Sequence, residues 1–333
     1  MIPPIEVAAT ETTGPLPLVS VLLITYNHAA YIRQALDGIV MQKGPFELEV
    51  IVGNDCSIDN TSDIIAEYDA QYPGLFRLMP QEKNLGGRRN MDRCEVAARG
   101  KYVAMIEGDD YWINPQKLAW QVEFLEMHPD FSFCFHNAQV IYEDNSGREA
   151  HLMITDHKQE YTLDDITRAW NIATASVVYR NGLMPPMPDW VYESAASDLP
   201  MFTFLAQAGR VGCLHEVMSV YRINAGGVSR AGQQEKYMWG ILRMHENVDR
   251  HLDFHYHRNL SGLMIEDNLI LSNLTFNAGE RAKARRYLLR AMRLQLAGGK
   301  MPTLGSVKIL IATVLPGLAE RFSKATRKQD LVD

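Results

Sequence analysis

The chain has 333 residues and a net charge of −7, with an apolar fraction of 47% and a charged fraction of 22%. These values are those of an ordinary globular protein, long enough for one large domain or one domain with an extension. Four cysteines lie far apart with no CxxC pair, which argues against a zinc site or a disulfide framework and fits a reducing compartment. No stretch reaches about 18 consecutive apolar residues, so no membrane-spanning helix is expected.

The charge is distributed unevenly along the chain. Residues 280–333 carry 12 Lys and Arg against 4 Asp and Glu, whereas the preceding part is acidic overall. This asymmetry indicates that the two parts meet different partners. We predict a disordered leader over residues 1–16, which are rich in Pro and Thr and lack the pattern of a signal peptide. A main domain over 17–230 and a helical, basic extension over 231–333 follow it.

The predicted elements alternate between strands and helices with short connections. In chain order we predict strands near 18–25, 48–52, 76–79, 102–107, 131–141, 172–179 and 211–221. The predicted helices lie near 30–41, 61–72, 90–99, 116–128 and 199–208, and residues 233–295 look helical throughout. This alternation predicts an α/β fold built on a parallel sheet with right-handed crossovers.

Polar side chains collect where three of the predicted strands end. They stand at residues 25–27, at Asn54–Asp55 and at Glu107-Gly108-Asp109-Asp110. Turn chemistry alone also favours Asn and Asp, but three such ends together favour a ligand site, because ligands bind at the carboxyl edge of an open α/β sheet. Like charges this close raise one another's pKa unless a cation neutralises them. The tetrapeptide therefore predicts a hard divalent metal that holds phosphate oxygens.

Six segments in the expected order carry a resemblance to a known family. They read VSVLLITYN, VGNDCSIDNT, NLGGRRN, GKYVAMIEGDDYW, SDLPMFTFLAQAG and VYRINAGGVS. Over roughly residues 17–230 the chain resembles the inverting family 2 glycosyltransferases of the GT-A fold, of the bacterial surface-polysaccharide type. The resemblance implies a Rossmann-like, mainly parallel mixed sheet flanked by helices, with a helical C-terminal extension. It also implies metal-dependent transfer of a sugar from a nucleotide-diphosphate sugar to an acceptor hydroxyl.

The resemblance assigns the nucleotide to the ends of the first strands. Thr25, Tyr26 and Asn27 would line the base and ribose pocket. Asp55 would accept a hydrogen bond from the base, since uracil, thymine and guanine all offer an N–H donor. Arg88 or Arg89 would reach the ribose or the pyrophosphate through a bidentate guanidinium, although either could instead lie on a solvated helix face.

The resemblance assigns the metal and the diphosphate to the acidic tetrapeptide Glu107-Gly108-Asp109-Asp110. Asp109 would be the direct ligand of Mn²⁺ or Mg²⁺, with Asp110 beside it, and Glu107 would orient the ribose or a metal-bound water. Trp112 would pack beside the sugar, with a core position as the alternative. Arg222 and the turn Gly226-Gly227-Val228-Ser229 would close over the phosphates as a flexible loop. Relatives often carry histidine where this chain has Asn224, so the third protein contact to the metal stays open.

An inverting transfer needs a general base on the face opposite the nucleotide. The family places an Asp at the start of a helix in this role, and Asp198 occupies that position. Glu193 is the alternative base, and a purely structural N-cap role for Asp198 is the other alternative.

The partners implied are a UDP-, GDP- or dTDP-linked sugar and a glycan or lipid-linked acceptor, with no nucleic acid. Ser306–Ala319 is apolar, short and flanked by basic clusters, which suits a peripheral contact with the inner face of the cell membrane by a cytoplasmic protein. Packing on the catalytic domain or on a second subunit of a homo-oligomer is the alternative. The histidines at 245, 251, 255 and 257 are interpreted as a solvated helix face. A nucleotidyltransferase and a non-catalytic nucleotide-sugar-binding module are the competing functions.

Overall fold

A computed structural model describes residues 18–224, 226–227, 234–299 and 301. The predicted leader at 1–16, the apolar segment Ser306–Ala319 and most of the turn after Gly227 lie outside the described residues. The chain forms two compact units. Of the described residues, the first unit contains 18–166, 170–188, 197–224 and 226, and the second contains 167–169, 189–196, 227, 234–299 and 301.

The strands of the first unit form one mixed sheet. In chain order they are β1 (Leu18–Thr25), β2 (Glu47–Asn54), β3 (Phe76–Leu78), β4 (Tyr102–Glu107), β5 (Tyr111–Trp112), β6 (Phe131–Glu143), β7 (His151–Leu152), β8 (Glu160–Tyr161), β9 (Val178–Arg180) and β10 (Arg210–Asn224). The order across the sheet is β3-β2-β1-β4-β9-β6-β10-β5, with β7 beside β6 and β8 beside β10. Strands β1 to β4, β6 and β10 share one direction, because β9 runs antiparallel to both β4 and β6.

The longer helices lie close to the predicted positions, whereas two four-residue helices were not predicted. The helices are α1 (Ile32–Val40), α2 (Thr61–Gln71), α3 (Gly87–Ala97), α4 (Lys117–Met127), α5 (Leu163–Ile166), α6 (Asp189–Tyr192), α7 (Asp198–Ala208), α8 (Glu235–His251), α9 (His257–Asn277) and α10 (Arg281–Ala297). Helices α6, α8, α9 and α10 belong to the second unit. In the first unit the central strands are buried on both faces, as the continuous apolar runs predict, and α1, α2 and α4 contribute to the same core.

The α/β fold with a mainly parallel sheet is confirmed, with local differences. The predicted strand at 172–179 begins instead as a 3₁₀ turn at Thr174–Ser176, and only Val178–Arg180 pairs, antiparallel to β4 and β6. At the start of α1 the carbonyl of His28 accepts the first amide hydrogen bonds, from Tyr31 and Ile32, each at 2.8 Å. The two-residue strands were not predicted, since they carry no periodic pattern.

The second unit corrects the interpretation of its histidines. His245 is buried, and its Nδ1 lies 2.6 Å from Oδ2 of Asp267 on α9. His257 makes a similar contact with the buried Asp249, also at 2.6 Å. A solvated face is therefore wrong for His245, which joins two helices. None of the helices that the structure describes is long and apolar enough to span a bilayer.

Candidate functional site

The carboxyl ends of four parallel strands meet at one edge of the sheet. In the register of β1 and β4, Ile24 lies opposite Glu107. The backbone N–H of Asp55, just after β2, donates to the carbonyl of Thr25 at 2.9 Å. On the far side Val220 of β10 pairs with Tyr111 of β5, which brings the end of β10 beside the turn between β4 and β5.

Gly108 allows the turn between β4 and β5 to lie directly against the end of β1. A Cβ at this position would stand 2.5 Å from Oγ1 of Thr25 and 2.9 Å from Nδ1 of His28. Both of those side-chain atoms are buried, and neither has a hydrogen-bond partner within the described part of the chain. The tight approach therefore requires glycine and leaves two polar atoms beside the acidic turn.

The four carboxylates of the site interact with one another. Burial, with the charges of Asp109 and Asp198, raises the pKa of Glu107 to about 8. Burial and the charges of Asp109 and Glu107 also raise the pKa of Asp110, against the opposing effect of Arg222. Asp198, the first residue of α7, thus belongs electrostatically to the cluster formed by the β4–β5 turn. The structure brings together the residues that the sequence assigned to metal and to base.

Asp109 and Asp110 hold different positions within the turn. Asp110 is 2% exposed, and its Oδ1 accepts a hydrogen bond from the backbone N–H of Arg222 at 2.8 Å. Asp109 is more accessible, and its Oδ2 accepts a hydrogen bond from Nδ2 of Asn224 at 3.0 Å. Nε2 of His28 lies 3.8 Å from the same Asp109 oxygen, which is too long for a hydrogen bond. Asp109 is thus the carboxylate of the turn that a ligand can reach.

Arg222 organises the turn through its side chain. Its Nε donates to the backbone carbonyl of Asp109 at 2.9 Å, and the other guanidinium nitrogens donate to Glu143 at 2.6 Å and Gln34 at 2.5 Å. The guanidinium also lies over the ring of Tyr31, 4.6 Å from its centroid. These contacts use most of its donors, so in this structure Arg222 joins β10 to the turn and to α1. Contact with phosphates stays a prediction.

The loops after β1 and β2 are joined by hydrogen bonds. The N–H of Asn27 donates to Oγ of Ser57 at 2.9 Å, and its Oδ1 accepts from the N–H of Ile58 at 2.8 Å. The buried carboxylate of Asp55 accepts the backbone N–H groups of Leu85 and Gly86, each at 2.8 Å. Asp55 therefore fixes the glycine-rich turn before α3.

Tyr26 is 42% exposed at the end of β1, beside the buried Thr25. An exposed ring at this edge is available to stack on a planar ligand.

The two candidate arginines differ. Arg88 is buried, and its guanidinium donates to Asp92 at 2.8 Å and Glu95 at 3.1 Å on its own helix, and to the sulfur of Met201 at 3.6 Å. Arg89 is exposed on the first turn of α3. Arg89 therefore lies at the surface. Arg88 is buried, and its guanidinium stabilises the fold through contacts with its own helix and with Met201.

Trp112 occupies the core position that the sequence left as the alternative. It is 2% exposed, and its Nε1 donates to the carbonyl of Ala175 at 2.7 Å. Nζ of the buried Lys117 lies over its ring, 4.1 Å from the centroid. Contact between Trp112 and a sugar is not supported by this packing.

Two residues of the site were not predicted from the sequence. Tyr221 lies on β10 among the carboxylates, and burial together with the charges of Asp110 and Glu107 raises its pKa. His28 faces Asp109 from the other side, as described above. The position of His28 directly after Thr25-Tyr26-Asn27 was a signal that could have identified it, since those three residues were already assigned to the strand end.

The donor set suits a divalent metal that is only partly held by protein. Within the described ranges, no three His, Cys, Asp or Glu side chains converge as a complete metal cage. Mg²⁺-type sites normally use one or two carboxylates together with substrate phosphates rather than such a cage. The accessible Asp109, the amide of Asn224 and the mutual repulsion of the carboxylates fit that arrangement, because a cation would relieve the repulsion.

Comparisons with known proteins identify relatives over most of the chain. Residues 20–183 match the model of glycosyl transferase family 2. An uncharacterised protein of Mycobacterium tuberculosis is 36% identical over 251 residues, which is 74% of this chain and 72% of that protein. A putative teichuronic acid biosynthesis glycosyltransferase of Bacillus subtilis is 32% identical over 130 residues, covering 39% of this chain and 50% of the relative.

Solved structures share the fold at low sequence identity. The crystal structure of S. aureus TarS residues 1–349 with UDP-GlcNAc has a TM-score of 0.55 at 18% identity and covers 92% of both chains. A mannosyltransferase of Pyrobaculum calidifontis in complex with GDP-Man and Mn²⁺ has a TM-score of 0.50 at 18% identity, covering 95% of this chain and 84% of that one.

Proposed function

The chain belongs to glycosyltransferase family 2, and from this premise we propose that it transfers a sugar, with inversion, from a nucleotide-diphosphate donor to an acceptor hydroxyl with the aid of a divalent metal. The observation that carries the proposal is the group of four interacting carboxylates at the carboxyl edge of the sheet, Glu107, Asp109, Asp110 and Asp198. Their mutual repulsion is the arrangement expected where a cation and a phosphorylated ligand bind together.

Asp109 and Asn224 would hold the metal, Mn²⁺ or Mg²⁺. When bound, the metal would neutralise charge on the departing diphosphate. Asp109 presents its Oδ2 at the accessible side of the turn, and Asn224 is already hydrogen-bonded to it. The mannosyltransferase that shares the fold contains GDP-Man and Mn²⁺, which supports the choice of metal for this chain.

Asp198 would accept the proton of the acceptor hydroxyl. It opens α7, and its charge acts on Glu107, so it stands close to the acidic turn. A carboxylate placed beside the acceptor hydroxyl can act as its general base. Glu193, the alternative base, belongs to the second unit.

The nucleotide would lie at the ends of β1 and β2. Tyr26 would stack on the base, with Thr25 and Asn27 shaping the pocket, and Arg89 would reach the diphosphate. Oδ1 of Asp55 already accepts two donors, the N–H of Leu85 and the side-chain amide of Gln81, whereas Oδ2 accepts the N–H of Gly86. A carboxylate oxygen can accept a second donor, so Oδ2 is the atom that would accept a base N–H.

The substrates are proposed by class. UDP-, GDP- and dTDP-sugars are the candidate donors, and TarS holds UDP-GlcNAc in the shared fold. The Bacillus relative named for teichuronic acid biosynthesis supports a glycan or lipid-linked acceptor in cell-surface polysaccharide synthesis.

The second unit supports contact with an anionic membrane surface through α10. Five exposed residues share one side of this helix, Arg285, Arg286, Leu289, Arg293 and Leu296. Its opposite side is buried, and the helix contains no Asp or Glu. The three arginines form no ion pair within the part of the chain that the structure describes. A helix face that mixes exposed Leu with unpaired Arg suits the interface of an anionic bilayer.

The identity of the sugar donor and the role of Asp198 as general base can be tested with the same protein preparations. Thermal-shift titration with UDP-, GDP- and dTDP-sugars should identify a donor whose stabilisation requires Mn²⁺. Asp198→Asn should retain that stabilisation but lower turnover by about 10²–10⁴-fold, since a general base contributes this much. Asp130→Asn, an exposed carboxylate before β6 at the opposite edge of the sheet, is the matched control. Full activity of Asp198→Asn would refute the assignment of the base.

The membrane contact has its own test. In a sedimentation assay, the wild type should pellet with phosphatidylglycerol-containing vesicles. A variant with Arg285, Arg286 and Arg293 all changed to Glu should stay in the supernatant. Pure phosphatidylcholine vesicles and an equal reversal at Lys43, Lys83 and Lys236 are the controls. Equal binding of the α10 variant and the wild type would refute the contact.

A further inference from the structure

We infer that His28 is a ligand of the divalent cation, bound through Nε2 and opposite Asn224, with Thr25 as the hydrogen-bond acceptor for its other ring nitrogen. This inference rests on the proposed function and specifies how the metal site is completed.

The first reason is the position of His28 relative to Asp109. Its Nε2 lies 3.8 Å from Oδ2 of Asp109, beyond hydrogen-bonding distance. Asn224 approaches the same carboxylate from β10 with a hydrogen bond of 3.0 Å. Asp109 is therefore flanked by a ring nitrogen from the end of β1 and an amide from the end of β10.

The second reason is a set of buried polar atoms at the same point. Thr25 is 1% exposed and Asp110 is 2% exposed, and within the described residues neither Oγ1 of Thr25 nor Oδ2 of Asp110 has a hydrogen-bond partner. Buried polar atoms without partners are uncommon in folded proteins and need a physical explanation. Oδ2 of Asp110, within the acidic turn itself, indicates that the site binds something beyond the protein's own atoms.

The third reason is the pairing of His28 with Thr25. Nδ1 of His28 is also buried without a partner, and it lies within 2.9 Å of the same point beside Gly108 that is 2.5 Å from Oγ1 of Thr25. A histidine that binds a metal through one nitrogen normally donates its other N–H to a neighbouring acceptor, which fixes the ring. Oγ1 of Thr25, itself without a partner in the described residues, would supply that acceptor.

The backbone of His28 is held firmly enough for this role. Its N–H donates to Oγ1 of Thr61 at 2.9 Å, and its carbonyl accepts the amides of Tyr31 and Ile32 at the start of α1. These contacts use only backbone atoms of His28. A substitution of the side chain therefore leaves them in place, and a ligand carried on such a support is well oriented.

The test is pulsed electron paramagnetic resonance on the full chain loaded with Mn²⁺ and inorganic pyrophosphate. The wild type should show coupling of the manganese to a directly bound nitrogen, and His28→Gln should lose it and bind Mn²⁺ about 10–100-fold more weakly. Thr25→Val should keep the coupling and weaken binding about 10-fold, the usual effect of removing an outer partner. His255→Gln, at an exposed histidine of the second unit, should match the wild type.

A rescue variant separates ligation from a structural effect. In the His28→Gln background, Asn224→His should restore the nitrogen coupling, because it returns an imidazole to the other side of Asp109. Manganese binding without nitrogen coupling in the wild type would overturn the role of His28 and leave the metal site standing. Failure of the wild type to bind Mn²⁺ in an Asp109-dependent way would instead overturn the metal dependence in the proposed function.

Discussion

Replacing Glu107 with Gln should stabilise the metal-free protein, and increasingly so at high pH. Burial and the charges of Asp109 and Asp198 raise the pKa of Glu107 from 4.5 to about 8. A carboxyl group whose folded pKa is raised contributes stability below its unfolded pKa and loses that contribution as pH rises through its folded pKa. At about 1.4 kcal/mol per unit, the ionised side chain costs up to about 5 kcal/mol above pH 8 and under about 1 kcal/mol at pH 5.

Urea denaturation in EDTA measures this cost. The free energy of unfolding of Glu107→Gln should exceed that of the wild type by about 2–4 kcal/mol at pH 8.5 and by less than about 1 kcal/mol at pH 5. Glu82→Gln, at an exposed position, should leave the free energy of unfolding within about 0.5 kcal/mol of the wild type at both pH values. A Glu107→Gln protein that is less stable at pH 8.5, or whose gain is the same at both pH values, would show that the carboxylate is not under electrostatic strain.

Three further substitutions examine the supports of the site. Lys117→Met should raise the free energy of unfolding by about 1–4 kcal/mol, because burial lowers the pKa of Lys117 to about 7 and Nζ has no hydrogen-bond partner within the described residues. That gain should be largest at or below pH 7 in urea titrations and shrink as pH rises toward 10, where the unfolded lysine also loses its proton. Gly108→Ala should lower stability by about 1–3 kcal/mol and turnover by about 10²-fold in a sugar-transfer assay, because the new methyl group displaces the turn from Thr25; unchanged turnover would show that the turn tolerates the shift. Arg88→Ala should lower the melting temperature while preserving Mn²⁺-dependent nucleotide binding, and loss of that binding in the folded variant would return Arg88 to the nucleotide site.

The sequence predicted the sheet well because each central strand is a continuous apolar run that ends in polar residues. Parallel strands ending in this way must bring their carboxyl ends together, so Thr25, Asp55 and Glu107 were predicted to share one edge. Asp198 required the family resemblance, since nothing in its local pattern separates a base from a helix start. The resemblance also led to the family assignment that the comparisons confirm.

The remaining contacts depend on side-chain directions that no sequence pattern encodes. Arg88 and Arg89 are adjacent, yet one faces its own helix and the other faces solvent. Trp112 follows the acidic turn directly but points into the core, where Ala175 accepts its N–H. His28 and Tyr221 reach the site only because Gly108 permits the close approach of the turn and because β10 pairs with β5.

Glu49 and Glu107 differ in the partners that the fold gives their carboxylates. Glu49 lies on β2, and although burial opposes ionisation, hydrogen bonds from Ser20 and Arg99 lower its pKa. The fold thus gives the buried carboxylate of Glu49 the hydrogen-bond and charge partners that keep it ionised. Glu107 ends β4, which pairs with β1 on the side opposite β2. Its carboxylate interacts with the charges of Asp109 and Asp198 instead of with a cation. The carboxylates around Glu107 therefore repel one another, and this repulsion costs the folded protein free energy. A metal and a diphosphate donor that bind together would remove the repulsion, so the binding of each would strengthen the binding of the other.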